Sequence, residues 1–130
     1  DNIDFNKGIV YLYLSGIFLT IGYDTIYGYQ DINDDIKIGV KSLSIKTKKF
    51  PKISIGIIYI SSYFFLVMSL IYKKSLGLET YMFLSLIFLH MFIQIKKVNI
   101  SKNSTLIKIF NSNVFLAAII FFCILTHNHL

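Results

Sequence analysis

Seven acidic residues occur in this sequence of 130, and four of them crowd into one run, Tyr23-Asp24-Thr25-Ile26-Tyr27-Gly28-Tyr29-Gln30-Asp31-Ile32-Asn33-Asp34-Asp35. On a helix turning about 100° per residue, Asp24, Tyr27, Asp31 and Asp35 stand at i, i+3, i+7 and i+11 and line one stripe, with Asp34 pointing partly aside. Carboxylates this close repel one another and need a cation or a partner, above all near lipid. With oxygen donors and no His or Cys in the run, the fitting ion is hard, Mg²⁺ or Ca²⁺, rather than zinc. Mg²⁺ takes one or two protein carboxylates and leaves its other positions to water and phosphate. Lys37 and Lys41 follow directly and bring the charge a diphosphate needs. The plainer alternative is a solvated helix end balanced by its lysines. Against it stand the common face, which solvation does not require, and the position of Asp24 inside an apolar stretch.

The elements that position this run must be membrane spans. Hydrophobic residues make up 55% of the chain and charged residues only 15%, with a mean hydropathy of +0.63. A soluble domain carries about 25% charged residues, so this chain lacks the polar groups to cover itself. An aromatic content of 16% excludes a disordered chain, and the single Cys123 excludes a disulfide scaffold. Four apolar stretches, at 8–29, 53–72, 76–95 and 109–126, each approach the ~20 residues a helix needs to cross a bilayer. Helices satisfy their own backbone groups in lipid, whereas an open sheet cannot. The expected fold class is therefore all-α: a multi-span transmembrane helical bundle of four spans, forming one membrane unit without a soluble domain. The fourth span is the weakest, because Asn111, Ser112 and Asn113 interrupt it.

All thirteen basic residues are lysines, and the net charge is +6. In so apolar a chain they read as span flanks, and no nucleic-acid partner is expected. Lys37, Lys41, Lys46, Lys48, Lys49 and Lys52 lie in the first connection, Lys73 and Lys74 in the second, and Lys96, Lys97, Lys102 and Lys108 in the third. Lysine excess marks the cytoplasmic side, so the first and third connections face in, the acidic run lies at the inner end of the first span, and the tail Thr126–Leu130 ends outside. A cysteine in place of Ser44 should accordingly be reachable from inside. The expected location is the bacterial inner membrane, with the mitochondrial inner membrane as the alternative.

The run from Tyr23-Asp24-Thr25 through Asp31 and Asp34-Asp35 to Ile38-Gly39-Val40-Lys41-Ser42 resembles the second aspartate-rich motif of the UbiA superfamily of intramembrane prenyltransferases, most of all the 4-hydroxybenzoate polyprenyltransferases. Gly28 stands where that pattern usually has Ala. The resemblance implies a nine-helix fold around a cavity open to the cytoplasm or matrix, with these four spans as its last four. It implies transfer of a polyprenyl group from polyprenyl diphosphate to the ring of 4-hydroxybenzoate, in ubiquinone biosynthesis. Mg²⁺ would be the cofactor and the lipid bilayer the surroundings. By motif position, Asp31 and Asp35 would be the metal ligands, with Asp34 a lesser candidate. Asp24 and Tyr27 would orient the site or the aromatic acceptor, and Lys41 would assist the diphosphate. The family's first motif, NDxxDxxxD, is absent, so the chain reads as a fragment that is inactive without the N-terminal helices of the same enzyme.

Other chemistry-bearing residues are given structural readings. His90 reads as a hydrogen-bonded packing residue, His127 and His129 as parts of a tail, and Glu79 as an acid at a helix N-terminus. Phe64, Phe65, Phe121 and Phe122 read as packing or lipid-facing groups. The competing function is a non-catalytic membrane subunit, or a cation-binding transport piece, built on the same acidic stripe; another UbiA-type aromatic prenyltransferase is the nearer alternative.

Overall fold

A computed structural model of the chain describes residues 2–129, with side chains from residue 6 to residue 128. The order is α1 (Asn2–Gly28), a 3₁₀ turn (Tyr29–Asp31), α2 (Ile32–Ile38), α3 (Leu43–Thr47), α4 (Pro51–Ile71), α5 (Leu78–Lys97) and α6 (Asn103–His129). Among the described residues there is no strand, and α1, α4, α5 and α6 are each long and apolar enough to cross a membrane. The chain is an all-α integral membrane protein.

The ends of the helices follow local chemistry. Pro51 occupies the first turn of α4, where a missing N–H costs nothing. Gly77 is extended (φ −84°, ψ 169°), so α5 starts at Leu78 and keeps Glu79 in its first turn and Lys96 and Lys97 in its last, matching the helix dipole at both ends. Gly39 closes α2 at φ 76°, a left-handed conformation other residues rarely adopt; its N–H donates to Ile36 O and that of Val40 to Asp35 O.

α6 starts well before residue 109, in spite of Asn111-Ser112-Asn113. Asn111 is exposed, and the Ser112 and Asn113 side chains are satisfied without breaking the helix. Ser112 Oγ donates to Ile109 O (2.7 Å), and Asn113 Nδ2 donates to Phe110 O (3.1 Å). Gln94 Nε2 on α5 then donates to Ser112 Oγ (2.9 Å) and Asn113 Oδ1 (3.1 Å). α6 also continues past Thr126, so His127 is not in a loose tail. It is buried, with one ring nitrogen 3.0 Å from Leu70 O and the other 3.2 Å from Thr80 Oγ1. The His129 ring lies outside the described side chains.

Packing is antiparallel between sequence neighbours. Ser15 and Ser62 exchange hydrogen bonds between α1 and α4, each Oγ donating to the other's carbonyl at 2.8 Å. Such small residues let helices approach closely where lipid supplies no hydrophobic drive. Tyr59 Oη donates to Gln94 Oε1 (2.6 Å) between α4 and α5, and Gln94 carries the network on to α6. His90 packs beside this network, its Nδ1 3.3 Å from Gln94 Nε2. Ile26, Ile55, Leu66, Ile87, Leu106 and Leu116 form the apolar centre. Phe65 stacks on Tyr11 and Phe18, while Phe64, Phe121 and Phe122 are exposed on the bundle's outer surface.

Candidate active site

The acidic run occupies the α1–α2 junction, at the end that also holds α3, the start of α4, the end of α5 and the start of α6. Its buried side consists of Thr25, Ile26, Tyr29 and Ile32. Two hydroxyl contacts dock the first connection onto it. Ser44 Oγ donates to Thr25 O (2.9 Å), and Tyr29 Oη and Thr47 Oγ1 share a hydrogen bond of 2.8 Å. Ser42 caps α3 by accepting from the Ile45 N–H (3.2 Å). Ser44 is therefore only 3% exposed and unsuited as a labelling position, although its connection is rich in exposed lysines. A Cβ on Gly28 would run into the Ser44 hydroxyl, so the glycine makes room for this docking.

With that side buried, Asp24, Tyr27 and Asp31 share the opposite, exposed face. The helix does not run regularly to Asp35. The 3₁₀ turn at Tyr29–Asp31 advances by about 120° per residue instead of about 100°, so Asp35 falls off the ideal stripe and is partly buried. Asp34 points to solvent and sits 3.9 Å from Lys37, a pair with side chains 83% and 77% exposed. Lys41 is exposed just beyond Gly39.

Two features escaped the reading of the sequence. Phe110 of α6 packs on Tyr27 (centroids 4.8 Å apart) and Tyr23 (5.8 Å), an aromatic wall beside Asp24. The i, i+4 spacing of Tyr23 and Tyr27 hinted at half of it, but their partner on α6 had no local signal. Gln30 Nε2 is the buried side-chain nitrogen left without a partner among the described residues, inside the acidic turn. It is a spare donor, suited to an anionic oxygen.

Among the described residues, no three His, Cys, Asp or Glu side chains converge tightly enough to hold an ion by themselves. The donor set still fits Mg²⁺, which needs only one or two carboxylates when phosphate and water complete its shell. Asp31 and Asp35 are the residues that would supply them. Lys41 would be a donor for the accompanying anion, and the Gln30 amide has a donor to spare.

Fold and site together define a polytopic helical membrane protein with an acidic, aromatic-walled end suited to cation and phosphate. No family model matches the chain, and no solved structure matches it. Curated relatives do. It is 36% identical over 110 residues to the mitochondrial 4-hydroxybenzoate polyprenyltransferase of Arabidopsis thaliana, covering 85% of this chain and 27% of the relative. It is 37% identical over 112 residues to the 4-hydroxybenzoate octaprenyltransferase of Providencia stuartii, covering 85% and 38%. It is 37% identical over 110 residues to 4-hydroxybenzoate geranyltransferase 2 of Lithospermum erythrorhizon, covering 85% and 36%. The chain thus spans well under half the length of these relatives. It is a homologue of the C-terminal part of 4-hydroxybenzoate polyprenyltransferases, in agreement with the UbiA-type resemblance of its aspartate-rich run. Bacterial and mitochondrial proteins both occur among the relatives, which fits either inner membrane.

Proposed function

We propose that the chain is the C-terminal portion of a Mg²⁺-dependent 4-hydroxybenzoate polyprenyltransferase of ubiquinone biosynthesis. Its substrates are polyprenyl diphosphate and 4-hydroxybenzoate, and N-terminal helices of the same enzyme complete its cavity. The observation that carries this reading is the exposed Asp24–Tyr27–Asp31 face, held outward by the burial of Ile26, Tyr29 and Ile32 within the run that resembles the family motif.

Asp31 and Asp35 hold the ion. Held by these two carboxylates, the ion would supply charge neutralisation to the diphosphate and to its departing oxygen. Lys41 and the Gln30 amide add donors whose interaction strengthens as that charge develops. The allylic carbon gains positive character as its bond to oxygen lengthens, and the Tyr23–Tyr27–Phe110 wall offers π-faces and excludes water. As the bond to diphosphate breaks, a ring carbon of 4-hydroxybenzoate bonds to the allylic carbon, and the ring regains aromaticity by giving the proton on that ring carbon to the released diphosphate or to water. Asp24 and Tyr27 orient the acceptor.

The test is an assay of membranes containing the protein together with its upstream helices, supplied with Mg²⁺, polyprenyl diphosphate and 4-hydroxybenzoate. Ring-prenylated product is expected, and none from the 130 residues alone, which hold one acidic motif. Well-expressed protein that makes no product in the first case would favour the non-catalytic subunit.

A further inference from the structure

A second polar feature lies outside the acidic site. Between α5 and α6, at the lysine-rich end, runs a groove of about 400 Å³ whose walls include Lys97, Lys108, Thr105, His90, Ile93 and Ile109. Its floor is the Gln94–Ser112 hydrogen bond. The two ammonium groups come from facing helices, and among the described residues neither is paired with a carboxylate. No acidic residue follows Glu79 anywhere in the sequence, so this charge is uncompensated within the whole of α6 and most of α5. The neighbouring lysines differ: Lys96 lies over the Phe92 ring at 5.2 Å, and Lys102 sits in the connection before α6; neither lines the groove.

Two cations above apolar walls, at the end of membrane-spanning helices, match a phosphate attached to hydrocarbon. We propose that this groove binds the headgroup phosphate of an anionic glycerophospholipid. Lys97 and Lys108 engage the phosphate, the Thr105 hydroxyl donates to it, and Ile93 and Ile109 lie along the first part of an acyl chain. Each lysine near a bilayer surface favours anionic lipid by about 1 kcal/mol, and basic pockets between spans at the inner side are where such headgroups lodge. A zwitterionic lipid brings its own cation and gains less from the pair.

The experiment is native mass spectrometry of the full chain, purified in detergent and offered phosphatidylglycerol or phosphatidylcholine. Retention of phosphatidylglycerol over phosphatidylcholine is expected, and equal retention overturns the proposal without any variant being needed. In K97Q/K108Q, bound phosphatidylglycerol should fall about thirtyfold. K97R/K108R should retain it, and so should K96Q/K102Q, which removes the same charge from the same connection. Equal losses in the two Gln pairs would mean diffuse surface attraction, and displacement by inorganic pyrophosphate would mean a site for free anions; either result overturns the lipid assignment.

Discussion

Gly28 and Ser44 meet at the α1–α3 contact so closely that a Cβ on Gly28 would collide with the Ser44 hydroxyl, which itself donates to Thr25 O across 2.9 Å. The acidic turn is thus clamped from behind by the connection that follows it. Ala at position 28 would restrict the unfolded chain, a gain of about 0.4–1 kcal/mol, but would push Ser44 off its acceptor, a loss of about 1 kcal/mol. Gly28→Ala alone should therefore leave stability nearly unchanged. In a Ser44→Ala background the collision with the hydroxyl is gone and the gain remains. The midpoints of thermal unfolding in detergent should give a coupling of about 1 kcal/mol between the two positions, and simple additivity would refute the contact.

What the sequence made legible was local and periodic. The spacing of Asp24 and Tyr27 put them on one side of α1, with Ile26 buried between them, because α1 is regular to Gly28, and Asp31 stays exposed in the 3₁₀ turn that follows. The departure at Asp35 was hidden because the 3₁₀ turn at Tyr29–Asp31 carries no proline and no left-handed residue to announce it. The early start of α6 was equally hidden. Asn111, Ser112 and Asn113 look like a break until Gln94, 18 and 19 residues before Ser112 and Asn113, satisfies the last two. The burial of Ser44 and His127 likewise depends on distant partners, Thr25 for the first and Leu70 and Thr80 for the second.

Gln94 should matter most among the polar residues of the spans. Its amide links Tyr59 on α4 with Ser112 and Asn113 on α6. Hydrogen bonds between membrane helices average about 0.6 kcal/mol and reach about 1.7. Gln94→Leu removes three at once and should cost about 2 kcal/mol, seen as a lower thermal midpoint, whereas Tyr59→Phe removes one and should cost about 1 kcal/mol or less. A Tyr59→Phe loss larger than that of Gln94→Leu would place the centre of the network elsewhere.

Orientation in the membrane follows from the lysines. The first and third connections carry Lys37, Lys41, Lys46, Lys48, Lys49, Lys52, Lys96, Lys97, Lys102 and Lys108, against Lys73 and Lys74 in the second. Because Ser44 is buried, the probe belongs on an exposed neighbour such as Lys49. Lys49→Cys, with Cys123 replaced by Ala, should react with an impermeant thiol reagent only when the cytoplasmic or matrix side is opened. A cysteine at Lys74 should show the opposite pattern, and reversal of the two would invert the topology.

The carboxylates of the acidic turn should not be equivalent. On the proposed function Asp31 and Asp35 would hold Mg²⁺, and an Asn in either place keeps the shape of the side chain while removing the charged oxygen that binds a hard cation. Loss of one such preorganised electrostatic group in an active site costs about 100-fold in turnover. Asp31→Asn and Asp35→Asn should therefore each lower prenyl transfer by about 100-fold in membranes where the full enzyme is active, with the Mg²⁺ titration shifted to higher concentration. Asp34 faces solvent, with its side chain 83% exposed and Lys37 3.9 Å away. An exposed ion pair of that kind contributes at most about 1 kcal/mol, much of it screened by salt. Asp34→Asn should hence keep activity within about fivefold and leave the Mg²⁺ titration in place, and the small effect should shrink further as salt is added. The Mg²⁺ titration separates a ligand from a merely structural carboxylate, because loss of folding lowers the amplitude without moving the midpoint. If Asp34→Asn shifted that midpoint more than either of the others, the ion would sit on the solvent side of α2, and the assignment of Asp31 and Asp35 would fail.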